Sequence, residues 1–98
     1  MILVRNIFQL KFGKAREAKA LIKESEALMK QHGSHATRYL TDLTGPYYTL
    51  VMETTYESLT ALEKSQSETM GTKDFFDWYQ RFTPLVESGH REIFSVVD

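Results

Sequence analysis

The first ten residues alternate between two faces in the manner of a β-strand. Even-numbered positions are apolar except at Asn6, whereas odd-numbered positions mix apolar side chains with Arg5 and Gln9. Because successive side chains of a strand point to opposite sides of a sheet, one face should be buried and the other mixed. The pattern predicts a first strand over residues 2–10, which Gly13 breaks.

A helical period replaces this alternation from Lys14 to His32. Apolar residues recur at spacings of three and four, and lysines and glutamates occupy other positions; the stripe comprises Ala18, Leu21, Ile22, Leu28 and Met29. Such spacing places the stripe on one side of an amphipathic helix. Gly33 stands where a left-handed C-cap is expected.

A hairpin is predicted after this helix. Ser34–Leu43 and Tyr47–Thr54 have the composition of strands, and Thr44-Gly45-Pro46 between them carries the strongest turn signal in the chain. We therefore expect these two strands to pair with each other.

Two short helices are predicted next. Thr54 and Glu57 have the spacing of a capping box, Gly71 interrupts the first helix, and Thr72 is suited to cap the second. Pro84 should bend or end that second helix because it removes a backbone donor. The helix has an inner stripe with two flanking residues: Phe75, Tyr79, Phe82 and Val86, flanked by Trp78 and Leu85.

A fourth strand is predicted over His90–Val97, which completes the order βαββαβ. With right-handed crossovers this order folds most simply into a ferredoxin-like α+β domain spanning residues 1–98, with a four-stranded antiparallel sheet and the helices on one face. Leu3 and Ile7 leave the other face apolar, which predicts a homodimer through the sheets. The alternative is an amphipathic open face on a monomer.

Composition narrows the classes of function. The net charge is -1, with 12 basic and 13 acidic residues, so no basic footprint predicts nucleic acid or an anionic membrane as partner. The chain has no cysteine, which excludes disulfides, thiolate metal sites and cysteine nucleophiles. No apolar run approaches the ~18 residues of a membrane helix, and residues 1–10 lack the basic leader and small-residue cleavage site typical of a signal peptide. A cytoplasmic location is the expectation.

Two segments carry a resemblance to a known superfamily. Residues 4–14, VRNIFQLKFGK, resemble the opening strand and turn of NIPSNAP-type and antibiotic-biosynthesis-monooxygenase-type domains. Gly45-Pro46, followed by a strand and Tyr56-Glu57-Ser58-Leu59, resembles the NIPSNAP pattern. Both types are dimeric α/β barrels, in which two ferredoxin-like protomers pack sheet to sheet. The resemblance implies that fold over nearly the whole chain.

The resemblance also implies a cleft between sheet and helices as the place for chemistry. Cofactor-free and haem-degrading monooxygenases of the superfamily use this cleft. The haem-degrading type has an Asn on strand 1 seven residues before the turn glycine, matched here by Asn6 and Gly13. It also needs a Trp and a His on the helices. Trp78 is helical but not at a convincing equivalent position, and no His lies between Tyr56 and Glu87, so no haem and no other cofactor is expected.

Asn6 is the most informative candidate because it interrupts an apolar face. A buried amide without partners costs about 1–3 kcal/mol. It could orient a substrate carbonyl or an oxygen intermediate, or it could bond a helix terminus or a buried water. The structural role is slightly favoured.

Other candidates are weaker. Phe8, Trp78 and Tyr79 could wall an apolar pocket, although aromatic stripes are more often core, and Trp78 is expected at the mouth of the cleft. Ser25, inside the stripe of the first helix, either bonds its own backbone or leaves room for a ligand. His90 could act as a general base if it faces the cleft.

No metal site is expected. His32 and His35 are three residues apart, but Gly33 ends the helix between them and no carboxylate cluster accompanies them. Two functional hypotheses remain. The first is a cofactor-independent monooxygenase or isomerase acting on an apolar, aromatic small molecule, with Asn6 orienting it. The second is a non-catalytic NIPSNAP-like binding or structural protein, in which the same residues are core.

Overall fold

The first strand of the protein forms where the sequence predicts it. In a computed structural model that describes residues 1–31 and 37–97, with side chains omitted at positions 29–31 and 70, β1 spans Ile2–Leu10. The remaining elements follow in chain order: α1 (Ala15–Gln31), β2 (Thr37–Thr41), β3 (Thr49–Tyr56), α2 (Leu59–Met70), α3 (Lys73–Phe82), a 3-10 turn (Thr83–Leu85) and β4 (Val86–Ser95).

The four strands form one antiparallel sheet in the order β2-β3-β1-β4. β1 lies between β3 and β4, with Asn6 opposite Met52 on one side and Arg91 on the other. This order confirms the predicted ferredoxin-like α+β fold. The hairpin of β2 and β3 also forms as predicted, with Gly45 at φ +105° in its connection.

The even face of β1 is buried, as its alternation predicts. Val4 and Leu10 are buried, and the main core contains one side of α1, part of β3 and the inner side of α3; its members are Leu10, Ala18, Leu21, Ile22, Leu50, Trp78, Phe82 and Leu85. Helix α1 therefore packs with Ala18, Leu21, Ile22 and Leu28 of the predicted stripe inward.

Several predicted boundaries are wrong. β2 ends at Thr41 and not Leu43, and β3 begins at Thr49 and not Tyr47. β3 continues to Tyr56, and Thr54 is a paired strand residue whose hydroxyl lies 3.0 Å from that of Thr37. The N-cap of α2 is instead Ser58, whose hydroxyl accepts a hydrogen bond from the Ala61 N–H at 3.1 Å. β4 begins at Val86, because the 3-10 turn that contains Pro84 leads directly into the strand.

Both ends of the helix predicted after Gly71 are confirmed. Thr72 caps α3 by accepting from the Phe75 N–H at 3.2 Å, and the α-helix stops at Phe82 before Pro84. The predicted cap at Gly33 and the pair His32 and His35 lie outside the described residues. No helix within the described ranges is long and apolar enough to span a membrane.

Candidate functional site: a cavity between sheet and helices

One row of side chains crosses all four strands and faces the helices. The register places Tyr39, Met52, Asn6 and Arg91 side by side, from β2 to β4. Directly opposed side chains in antiparallel strands lie about 4.5–5.5 Å apart at Cβ. The row therefore forms a continuous floor that runs from a phenol through a thioether and an amide to a guanidinium.

Asn6 lies in the middle of this floor and is half-buried. No hydrogen bond joins its side-chain amide to any other residue in the described part of the chain. An amide that bonded a helix terminus, one of the two structural roles expected of it, would show such a partner. The Asn6 side chain thus offers two N–H donors and one carbonyl acceptor to whatever enters the space above it.

The aromatic wall opposite the floor is built on α3. Trp78 and Phe82 stack with ring centroids 4.9 Å apart, and Phe82 meets the edge of Phe8 at 5.2 Å. The Trp78 indole N–H donates to the backbone carbonyl of Leu21 at 2.6 Å, which fixes the ring against α1. Trp78 is 4 % exposed, so it lies deep in the wall and the expectation that it marks the mouth is wrong.

Tyr79 lies at the mouth of the cleft, where Trp78 was expected. It is 50 % exposed, and its ring stacks on Phe75 with centroids 6.1 Å apart. The inner side of α3 is therefore centred on Trp78 and Phe82, and Tyr79 lies at the rim of the cavity.

Hydroxyl groups line the side of the cavity next to α1 and α2. Buried Ser25 donates to the carbonyl of Ile22 at 2.7 Å, which satisfies it within its own helix. Burial raises the pKa of Tyr39, and a hydrogen bond with Ser25 acts in the opposite direction. Burial likewise raises the pKa of Tyr56, opposed by a hydrogen bond with Ser65. Both phenols are therefore protonated at neutral pH. Because Ser25 already donates to Ile22, the Tyr39 hydroxyl donates to Ser25.

Floor, wall and hydroxyls enclose a cavity of about 190 Å³. An apolar cavity of about 150 Å³ is large enough to bind benzene. The space therefore suits a ligand of one aromatic ring with a short substituent. Among the described residues that line it, Arg91 is the one ionised side chain.

Five of the six sequence candidates lie around this one cavity: Asn6, Phe8, Ser25, Trp78 and Tyr79. The sixth, His90, pairs with Ile7 on β1, and opposed residues project to the same side of a sheet. Its side chain therefore projects to the open face, away from the helices. The condition for a general base in the cleft is not met.

The sequence analysis missed Arg91 as a lining residue and treated Tyr39 as ordinary strand packing. Period-two alternation in β4 assigns Arg91 to the same face as Asn6 only once the pairing register is known. No group of three or more His, Asp or Glu side chains that could hold a metal ion occurs within residues 1–31 and 37–97.

No protein-family model matches the chain. A comparison with curated protein sequences also finds no significant match. Solved structures are similar in fold. A NIPSNAP family protein from Agrobacterium tumefaciens strain C58 superposes with a TM-score of 0.90 at 21% identity, over 99% of this chain and 86% of that one.

Two further structures extend the comparison. An uncharacterised NIPSNAP domain protein from Burkholderia xenovorans gives a TM-score of 0.89 at 13% identity, over 99% of this chain and 95% of that one. An antibiotic biosynthesis monooxygenase gives 0.78 at 16% identity, with both chains covered completely. The chain thus has the ferredoxin-like fold of NIPSNAP and antibiotic-biosynthesis-monooxygenase structures, as the sequence resemblance predicted.

Proposed function

We propose that the protein binds an apolar, aromatic small molecule in the cavity between sheet and helices, and that Asn6 orients it. The observation that carries this proposal is the Asn6 amide, half-buried on the cavity floor and without a hydrogen-bonding partner in the described chain. The polar atoms of Asn6 are accessible from the cavity, so water solvates them until a ligand with matching hydrogen-bonding groups takes its place. Most of the remaining lining is aromatic or aliphatic, which suits an apolar body.

The reaction that this site supports best is a cofactor-independent oxygenation. Conversion of a ring CH₂ and O₂ to a carbonyl and water balances with the substrate as sole reductant. The chain needs only to hold a substrate with an acidic ring C–H group in a cavity without water, and to stabilise the substrate's oxygen with hydrogen-bond donors. The Asn6 amide, with two N–H groups, is such a donor.

A second candidate is non-catalytic binding of the same class of molecule, as the NIPSNAP alternative holds. The observation that favours it is the lack of an ordinary general base in the cavity. His90 projects to the other face, and no Asp or Glu belongs to the described lining. A molecule without an acidic C–H group would find no base to remove its proton. It would therefore be bound and not converted.

Native mass spectrometry of freshly purified protein tests the binding proposal, and oxygen uptake on the released ligand separates the two candidates. We expect a retained small molecule in the wild type and its loss in Asn6→Leu, which fills the same space without the amide. Unfolding should show Asn6→Leu as stable as the wild type. A loss of about 1–3 kcal/mol, as for a satisfied buried amide, would contradict the ligand role of Asn6.

We further propose that a second copy of the chain covers the open face of the sheet. Four charged residues alternate across the strands of this face: Arg38, Glu53, Arg5 and Glu92. Glu53 accepts from Arg38 Nε at 3.0 Å and lies 2.9 Å from Arg5 Nε, and Arg5 Nη1 lies 3.3 Å from Glu92. The charges therefore alternate in sign along this row, from positive Arg38 to negative Glu92.

This charge row is complementary to its own reversed copy. A two-fold axis parallel to the strands would place Arg38 over the partner's Glu92 and Glu53 over the partner's Arg5. Apolar side chains flank the row, among them Leu3, Ile7, Leu40, Val51 and Phe94. Leu40 and Phe94 are 37% and 46% exposed, which a second copy would reduce.

Native mass spectra of Ile7→Asp test the dimer. The carboxylate would be desolvated between two sheets, so we expect the variant to be monomeric and folded and the wild type to be dimeric. Phe76→Asp, on the exposed side of α3, is the matched control and should remain dimeric. A monomeric wild type at micromolar concentration would refute this proposal.

A further inference from the structure

The cavity contains a charge without a counterion. Arg91 lies at the β4 end of the floor, next to Asn6, and no described acidic residue forms an ion pair with it. Its neighbour Glu92 projects to the open face and pairs with Arg5. Arg5, Arg38 and Arg81 have carboxylate partners. Arg16 has no ion pair among the described residues either, but it lies on the exposed side of α1, outside the cavity.

No other described lining residue is ionised, so the described part of the lining carries one net positive charge at neutral pH. A guanidinium presents a planar fork of donors that matches a carboxylate in a bidentate geometry. Arg91 is exposed, so water partly screens such a pair, while the buried rings of Trp78 and Phe82 keep the other side of the cavity apolar. A cationic ligand would meet repulsion there, and a neutral one would leave the fork unused.

We propose that the ligand of this cavity is an organic anion, an aromatic carboxylate whose charged group pairs with Arg91 while its ring lies against Trp78 and Phe8. This inference rests on the proposed binding function and specifies its substrate class. Asn6, directly opposite Arg91, donates a second hydrogen bond to the same carboxylate. The distance across one strand pair is within the reach of a single carboxylate bound by both side chains.

The cavity volume sets the size of that anion. About 190 Å³ holds one ring and a short chain. A suitable matched pair of probes is therefore 3-phenylpropanoate and 3-phenylpropanamide, which have the same shape and differ in charge. Trp78 is the one tryptophan of the chain and lines the cavity, so its fluorescence reports occupancy without a label.

Titration of both probes into the full-length protein tests the inference. We expect the wild type to bind the carboxylate at least about tenfold more tightly than the amide, because a hydrogen-bonded charge pair discriminates by that order. Arg91→Gln should reduce this ratio to near one. Arg16→Gln removes an equal charge from the exposed side of α1 and should keep the full ratio.

The outcomes separate the two levels of the proposal. Equal affinity for both probes in the wild type, or an unchanged ratio in Arg91→Gln, would overturn the anion inference and leave the binding function intact. Failure of both probes to bind would overturn the binding function and the inference together. An acid preference that disappears with Arg91→Gln but not with Arg16→Gln would establish it.

Discussion

Gly89 lies directly opposite Phe8 in the pairing of β4 with β1, and a Cβ atom on Gly89 would stand 2.9 Å from Cδ1 of the Phe8 ring. The same atom would lie 3.3 Å from the backbone oxygen of Ile7. The phenyl ring thus lies over the position where β4 has no side chain. From there its other side meets Phe82 edge to face.

The first prediction concerns this contact. Gly89→Ala should push the Phe8 ring towards the cavity, because a 2.9 Å separation is too short for two carbon atoms and the strand backbone cannot yield. We expect a loss of about 1–3 kcal/mol in unfolding free energy and weaker ligand binding. Ser88→Ala, on the other face of the same strand, should change neither. Unaltered binding in Gly89→Ala would show that Phe8 does not shape the cavity.

The sequence predicted strongly patterned elements well. The even positions of β1 are apolar over residues 2–10 except at Asn6, and α1 has a single apolar stripe, so each has one preferred buried face. Helix α3 has aromatic residues on nearly every side, and no period could distinguish the inner pair, Trp78 and Phe82, from exposed Phe76 and Tyr79. Contact with α1, through the hydrogen bond to Leu21, decides the orientation.

The face of β4 that lines the cavity could not be predicted from the sequence, for a different reason. Which of His90 and Arg91 faces the helices depends on the pairing register with β1, which shifts between Gln9 and Leu10. A displacement of one residue would exchange the two side chains between faces. Local sequence carries no information on that register, whereas Asn6 could be assigned to the cavity face from the alternation of β1 alone.

The second prediction concerns the anchoring of the aromatic wall. Trp78→Phe keeps a ring in the stack with Phe82 but removes the indole donor 2.6 Å from the Leu21 carbonyl. We expect thermal or denaturant unfolding to show a loss of about 1–3 kcal/mol from the hydrogen bond and the reduced volume. Tyr79→Phe, at the exposed rim, should stay within about 0.5 kcal/mol of the wild type. Equal effects of both changes would contradict the buried position of Trp78.

The third prediction distinguishes the observed cap of α2 from the expected one. Ser58→Ala removes the hydroxyl that accepts from the Ala61 N–H, and should lower the unfolding free energy by about 1 kcal/mol. Ser67→Ala, in the exposed middle of α2, should be neutral or slightly stabilising because alanine is the better helix former. A neutral Ser58→Ala would show that the helix start does not depend on this cap.

The last prediction follows from the charge row of the open face. Hydrogen bonds from Arg38 chiefly hold the pKa of Glu53 below its usual range, with the positive charges of Arg38 and Arg5 acting in the same direction and burial opposing them. A carboxyl whose pKa is lower in the folded state stabilises the fold above its unfolded pKa, about 4.3. That contribution is lost as the pH falls through the folded pKa. Chemical denaturation between pH 7 and 2 should therefore show a steeper acid loss for the wild type than for Glu53→Gln.

The matched control for this titration is Glu24, whose pKa is also lowered, chiefly by its hydrogen bond from Arg81. Both partners of that pair are about half exposed, so water screens it and its contribution to stability is small. Glu24→Gln should therefore follow the wild-type acid curve closely. If Glu53→Gln followed that curve too, the charge row would not be a source of stability, and its part in the proposed sheet-to-sheet dimer would lose its energetic basis.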